Sequence, residues 1–197
     1  MFYRTACLLA GHRYVRTCDT VEHKTWVTID KSSWGDGPWL AEPDKEQFAD
    51  EATGLPCLIR RSPTSGALCG YVGVPEGHPW YGSPVGDILA DVHGDVTYAG
   101  FCQAGPEEHT ICHIPGPGEP DRVYWVGFDC AHYMDVTPAL NAYMREEAGV
   151  VLSEWPGVSY KPVAYVKAEI AALAMQAVAH AAAAAAAGED LPARSRR

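Results

Sequence analysis

Cys57-Leu58-Ile59-Arg60-Arg61, then Ser62-Pro63-Thr64-Ser65-Gly66, then Leu68-Cys69-Gly70-Tyr71-Val72-Gly73-Val74 set the frame for the whole chain. Two β-rich runs joined by turn-forming residues read as a pair of strands. The run Arg122-Val123-Tyr124-Trp125-Val126-Gly127-Phe128 is apolar almost throughout and reads as a buried strand. Residues 88–93 and 96–98 form a further strand candidate, with a bulge or turn at Gly94-Asp95. Residues 44–50 read as a short helical piece, and residues 75–86 and 103–121, rich in Gly and Pro, as loops. Beyond them the pattern changes. Residues 138–148 suit a short helix. In residues 162–187, Val163, Val166, Ile170, Leu173 and Ala177 recur at a spacing of three and four, placing an apolar stripe along one helical face. Seven alanines, 181–187, extend that helix, and Gly188 is a natural stop. The expected architecture is α+β: a single domain with a mostly antiparallel sheet, long ordered loops and a long C-terminal helix packed on the sheet. The expected divisions are a β-rich extension at 1–31, with runs at 2–9, 13–18 and 25–29, a core domain at 32–187, and a disordered tail at 188–197.

The 197 residues carry 15 Lys+Arg against 25 Asp+Glu, a formal charge of −10. Direct DNA or RNA binding is therefore not expected, because it relies on cations neutralising phosphates. Seven cysteines without a CxxC pair indicate neither a disulfide framework nor a zinc ribbon. The early apolar run, residues 6–10, is shorter than the ~7–15 residues of a secretory signal. Apart from the alanine-rich end, no window approaches the ~18 apolar residues of a membrane span. The expectation is a cytoplasmic protein with reduced thiols and no membrane contact.

Three segments concentrate residues suited to ligand chemistry: His78-Pro79-Trp80-Tyr81, Asp91-Val92-His93 with Tyr98 downstream, and Asp129-Cys130-Ala131-His132-Tyr133-Met134-Asp135. Asp91 and His93, two apart, share a face of a strand. Asp129 and His132, three apart, share a face of a helical turn, and Asp135 continues that row. Convergence of His93, His132, Asp91, Asp129 and Asp135 suits a divalent cation such as Zn, Mg or Mn. With His93, Asp129 and His132 as catalytic groups it equally suits acid–base chemistry without metal. Cys130 at a helix start would be an activated thiolate, or else an inert buried thiol. Cys102, His109, Cys112 and His113 form a second, unusually spaced metal set. Trp80, Tyr81 and Tyr98, with His78, suit a ligand ring or a packed lid. Arg60 and Arg61 lie on opposite faces of their strand, as solvated charges or as a clamp for an anion. Residues 87–135 hold nine Asp/Glu against Arg122 alone, a setting that favours a cation and repels a bare phosphate.

Several motifs carry a family resemblance: Leu68-Cys69-Gly70-Tyr71-Val72-Gly73-Val74-Pro75-Glu76-Gly77-His78-Pro79, Val92-His93-Gly94-Asp95-Val96-Thr97-Tyr98 and Trp125-Val126-Gly127-Phe128-Asp129-Cys130-Ala131-His132. The chain resembles, over about residues 33–172, a family of small uncharacterised proteins encoded by bacteriophages and prophages. Asp95 stands where that family's pattern has a second glycine, and Tyr133-Met134 where it has small residues. The resemblance implies an accessory protein in the host cytoplasm. By analogy with other phage proteins of this size, it implies a small hydrolase acting on a small, nucleotide-like molecule, or a non-catalytic binder of such a molecule or of a host protein. The alanine-rich helix end is the expected surface for a protein partner or a homo-oligomer.

Overall fold

The computed structural model describes residues 22–116 and 122–189. Six strands, β1 (Lys24–Trp26), β2 (Lys45–Ala49), β3 (Pro56–Arg61), β4 (Leu68–Pro75), β5 (Tyr98–Phe101) and β6 (Val123–Asp129), form one sheet in the order β1-β2-β3-β4-β6-β5. All neighbours run antiparallel. Two helices follow, α1 (Pro138–Ala148) and α2 (Val163–Glu189). The α+β architecture with a long C-terminal helix on the sheet is as the sequence implies.

The β3–β4 hairpin pairs Cys57 with Val72 and Arg61 with Leu68. Alternation along the strands then sorts side chains between two faces. Cys57, Ile59, Val72, Val74, Val126 and Phe128 meet α2, whose Val166, Ile170, Leu173 and Ala177 are fully buried. Each large residue of that stripe contributes about 1.5–3 kcal/mol by leaving water. Gly70 lets the helix approach: a Cβ there would lie 2.6 Å from the Phe128 ring and 2.9 Å from Ile170. Leu58, Tyr71, Val123 and Trp125 face the other way and are covered by the loop carrying Ile111. The Cys102–Cys112 disulfide closes that loop. Gln47 holds it too, exchanging side-chain amide bonds with the Ile114 backbone at 2.8 and 2.9 Å. The buried Lys45 ammonium donates to the carbonyls of Glu107 and Cys112.

Several expectations are corrected. Residues 44–50 contain strand β2, not a helix, because its backbone pairs with β3 and its polar side chains anchor the loop below. Residues 88–93 are irregular, and the regular strand begins only at Tyr98. Helix α2 continues through Gly188 to Glu189. Cys102 and Cys112 are not reduced thiols. Arg61 is not a solvated charge: it is 1% exposed and paired with Glu42 and Asp44. Within the expected N-terminal extension, residues 2–9 and 13–18 lie outside the described residues, while β1 forms the outer strand beside β2. By length and composition α2 is apolar enough to cross a membrane, with an 18-residue window of mean hydropathy 1.6. Its stripe packs against the sheet, while the 182–187 alanines are exposed.

Candidate functional site

The site grows from the chain that leaves β6. Cys130 turns inward, its N–H donating to the Leu68 carbonyl. The segment then bends so that the Asp135 N–H reaches the His132 carbonyl at 2.9 Å. Asp135 forms a parallel bridge with Ser159, on the approach to α2. Its side chain, 1% exposed, is thereby fixed between the loop and the helix.

Three elements converge on that carboxylate. His93 Nε2 lies 2.7 Å from Asp135 Oδ2, and the same oxygen accepts the His132 backbone N–H at 2.9 Å. The His132 ring nitrogen Nδ1 stands 3.5 Å away, and Lys161 Nζ approaches Oδ1 to 3.3 Å. Burial opposes ionisation of Asp135, but the His93 bond, the His132 N–H and the adjacent charges outweigh it. Its pKa is held below the ordinary value. The anion then calls for a proton on His93 Nε2. The other His93 nitrogen, Nδ1, sits 3.0 Å from the Tyr165 hydroxyl, which also meets the Glu169 carboxylate. Burial and Glu169 together push the Tyr165 pKa up, so this hydroxyl keeps its proton. Tyr165 O–H can donate to Nδ1 of a neutral His93, or donate to Glu169 while its oxygen accepts from Nδ1–H of a protonated His93. Glu169 additionally accepts the His93 backbone N–H at 2.9 Å. His93 is thus gripped by α2 on one side and Asp135 on the other.

His132 is held differently. Its ring meets that of His93 edge-on, with centroids 5.3 Å apart. It also lies over Gly94, where an added Cβ would come within 2.0 Å of the imidazole and where φ is +65°. Only glycine suits both conditions. The His132 side chain is 36% exposed and borders a groove of about 720 Å³. Asp135, Thr137, Leu140, Tyr143 and Trp155 also line this groove. Inside the site, His132 Nδ1 is buried with no hydrogen-bond partner.

The two histidines and Asp135 therefore meet, as the sequence suggested, each offering a donor atom within 4.8 Å of the others. They could hold a divalent cation once the proton on His93 Nε2 is displaced, with the Tyr165 oxygen accepting a hydrogen bond from His93 Nδ1–H, the outer partner that metal-bound histidines ordinarily have. Lys161 competes for the same carboxylate. The other two acids stay away. Asp91 is exposed and meets α2 through its backbone, which exchanges bonds with the Gln176 amide. Asp129 caps a turn by accepting the Ala131 N–H at 3.0 Å. Both spacing arguments fail for one reason: residues 91–93 are not a strand and residues 129–132 are not helical.

The remaining candidates have other settings. Trp80 is buried against the sheet-facing side of α2, and Tyr81 packs on Phe101 and Tyr124. His78 Nε2 donates to the Ala177 carbonyl while Nδ1 accepts the Trp80 N–H, and burial pushes its pKa down. Twelve residues of helix separate Ala177 from Tyr165, about 18 Å. The aromatic segment is a lid over the core there, not a wall of the histidine site. Tyr98 stacks edge-on against Tyr71 on the opposite sheet face. Arg61 is saturated by Glu42, Asp44, the Gly66 carbonyl and the Tyr160 hydroxyl, leaving no donor for an anion, and Arg60 points to the other face. Cys130 is buried, and its burial with Asp135 nearby pushes the thiol up, the reverse of an activated thiolate. The Cys102/Cys112/His113 metal set is spent, because its two sulfurs form the disulfide, and His109 is not among that group.

Sequence reasoning missed Lys161, Tyr165 and Glu169, which recur every four residues beside the apolar stripe. That period is a legible signal for a polar helix edge facing one neighbour. It also missed Thr137, Leu140, Tyr143 and Trp155, whose common groove no local pattern announces. Compared with family models, curated proteins and solved structures, the chain matches none, so the site is read from its own geometry.

Proposed function

We propose that this chain is a small acid–base hydrolase whose working pair is His132 and Asp135. The observation behind the proposal is a buried, ionised carboxylate shared by two histidines at the wall of a groove. His132 is the groove-facing base, Asp135 holds its loop and compensates its positive charge, and His93 with Tyr165 keeps Asp135 in place. His132 takes a proton from water and returns it to the leaving group. A metal-assisted variant belongs to the same proposal: His93, His132 and Asp135 would hold the cation, and this imidazole-rich set suits Zn better than Mg or Mn. Such an ion supplies a bound water of lowered pKa. An accessory role in a phage-infected cytoplasm is the setting in which we place this activity.

Purified protein incubated with chromogenic carboxylic and phosphoric esters, with and without added Zn, tests the proposal. Turnover that falls by about a hundredfold or more in His132→Ala and Asp135→Asn is the expected result. Turnover indifferent to both substitutions overturns it. Elemental analysis of the same preparation separates the two variants.

One observation favours a second reading. Tyr133, Tyr143 and Trp155 are 92%, 60% and 53% exposed around one groove, which suits a non-catalytic binder of a planar molecule. Recovery of an intact small molecule from the heat-denatured protein would support it.

A further inference from the structure

Thr137 occupies the N-cap of α1, where a threonine hydroxyl ordinarily accepts a backbone N–H of the first turn. Here the side chain makes no such bond. The Ala139 N–H is taken instead by the Ser65 carbonyl at 3.0 Å. Thr137 is only 5% exposed, its Oγ1 has no hydrogen-bond partner, and it lines the groove bordered by His132. An unpaired buried hydroxyl costs stability, whereas an apolar side chain of the same shape would not. Thr137 Oγ1 is thus an unsatisfied polar atom on a residue of the wall that His132 borders, whereas His132 Nδ1, without a hydrogen bond, still faces the Asp135 carboxylate at 3.5 Å. Apart from Asp135, Thr64 and Ser65, the rest of the lining is apolar or aromatic. Among the described residues that line it, Asp135 alone carries a formal charge, and His93 and Lys161 already partner that carboxylate.

We propose that Thr137 is a substrate-binding and catalytic residue that donates to a carbonyl oxygen, and that the groove takes a neutral carboxylic ester with an aliphatic or aromatic body. This rests on the acid–base reading above and narrows its substrate class. A phosphate ester is disfavoured because no Lys or Arg lines the groove and its one charge is negative. In the reaction, water adds to the carbonyl carbon while His132 accepts its proton. The carbonyl electrons move onto the oxygen facing Thr137 and the N-terminus of α1, where the helix dipole favours negative charge. As the double bond re-forms, the C–O bond to the alcohol breaks, and His132 returns the proton to the departing alkoxide. Acid and alcohol are the only products, and water is the only co-reactant.

The test compares 4-nitrophenyl butyrate with bis(4-nitrophenyl) phosphate on the full chain, using Thr137→Val and Thr137→Ser. The butyrate should turn over and the phosphodiester should not. Thr137→Val should lower kcat by about a hundredfold with KM little changed, and Thr137→Ser should restore most of it. Thr137→Val should also melt at an equal or higher temperature, which separates lost catalysis from lost folding. Butyrate turnover with kcat unchanged in Thr137→Val, or His132-dependent hydrolysis of the phosphodiester, overturns the inference while leaving the hydrolase reading intact. If neither compound turns over, the hydrolase reading fails and binding of the neutral amide acetanilide decides the ligand class. Saturable quenching of fluorescence that is absent in Trp155→Phe and weakened in Thr137→Val upholds it, and no quenching overturns it.

Discussion

Two buried aspartates, Asp44 and Asp135, show how similar surroundings serve different ends. Both are almost wholly enclosed, and both carboxyls are held below their ordinary pKa although burial alone would raise them. Asp44 lies 2.7 Å from Lys31 and 3.2 Å from Arg61, and it also accepts the N–H groups of Thr28 and Ile29. Arg61 continues to Glu42, whose second oxygen accepts the Val163 N–H and so caps α2. Every partner there is a permanent cation or a backbone donor, and the cluster is closed. Around Asp135 the partners include two histidines, whose ordinary pKa lies near neutrality, and one of them borders a groove. Saturation with fixed charge makes a strut, while exchangeable protons beside a cavity make a place where chemistry can occur.

The comparison is broken most directly at Arg61. Arg61→Met leaves Glu42 and Asp44 buried with less compensation and should cost about 3–5 kcal/mol in urea unfolding, while Asp135→Asn should cost no more than about 1–3 kcal/mol. Equal losses would erase the distinction between strut and site. Reduction of the Cys102–Cys112 bridge should come next, lowering stability by about 2–3 kcal/mol because it closes a short loop. Thiol titration before and after reduction checks this and counts the oxidised cysteines. Acid should act on both aspartates with one sign. Each has a lowered folded-state pKa, so its stabilisation is present above the unfolded value near 3.8 and is lost as pH falls through the lower folded value. Asn at either position should flatten the stability curve below pH 4, measured by thermal melting. The smallest effect concerns Lys45, whose pKa burial lowers to about 8. The unfolded chain binds the extra proton between pH 8 and about 10.5, so this lysine makes stability rise with pH in that window. The difference between wild type and Lys45→Met isolates that slope.

The sheet pairings at β3–β4 and the stripe on α2 are written in the sequence because each follows from a local period that burial rewards. Strand β2 is not. Lys-Glu-Gln-Phe-Ala has no strand pattern, and its conformation comes from partners far along the chain, the Ile114 backbone and the Cys112 carbonyl. The site divides the same way. His93, His132 and Asp135 stand out by residue type, and loop chemistry does bring them together. The geometry proposed for them was nonetheless mistaken, since turns rather than a strand and a helix carry them, and Asp91 and Asp129 fall away for that reason. Thr137 was invisible because a threonine before a helix reads as a cap. Its meaning lies in the bond it does not make.

Tyr160 and Lys161 are neighbours in the chain, yet Tyr160 donates to Glu42 in the closed cluster and Lys161 reaches Asp135 in the open one. Just before them, Ser159 is stitched to Met134 and Val136 by backbone bonds. Three successive residues thus tie the strut, the histidine loop and the start of α2 into a single joint. A slip of that joint by a fraction of an ångström changes the reach of Lys161 toward its carboxylate. The closed cluster and the histidine loop therefore share one stretch of backbone, and neither is anchored independently of the other.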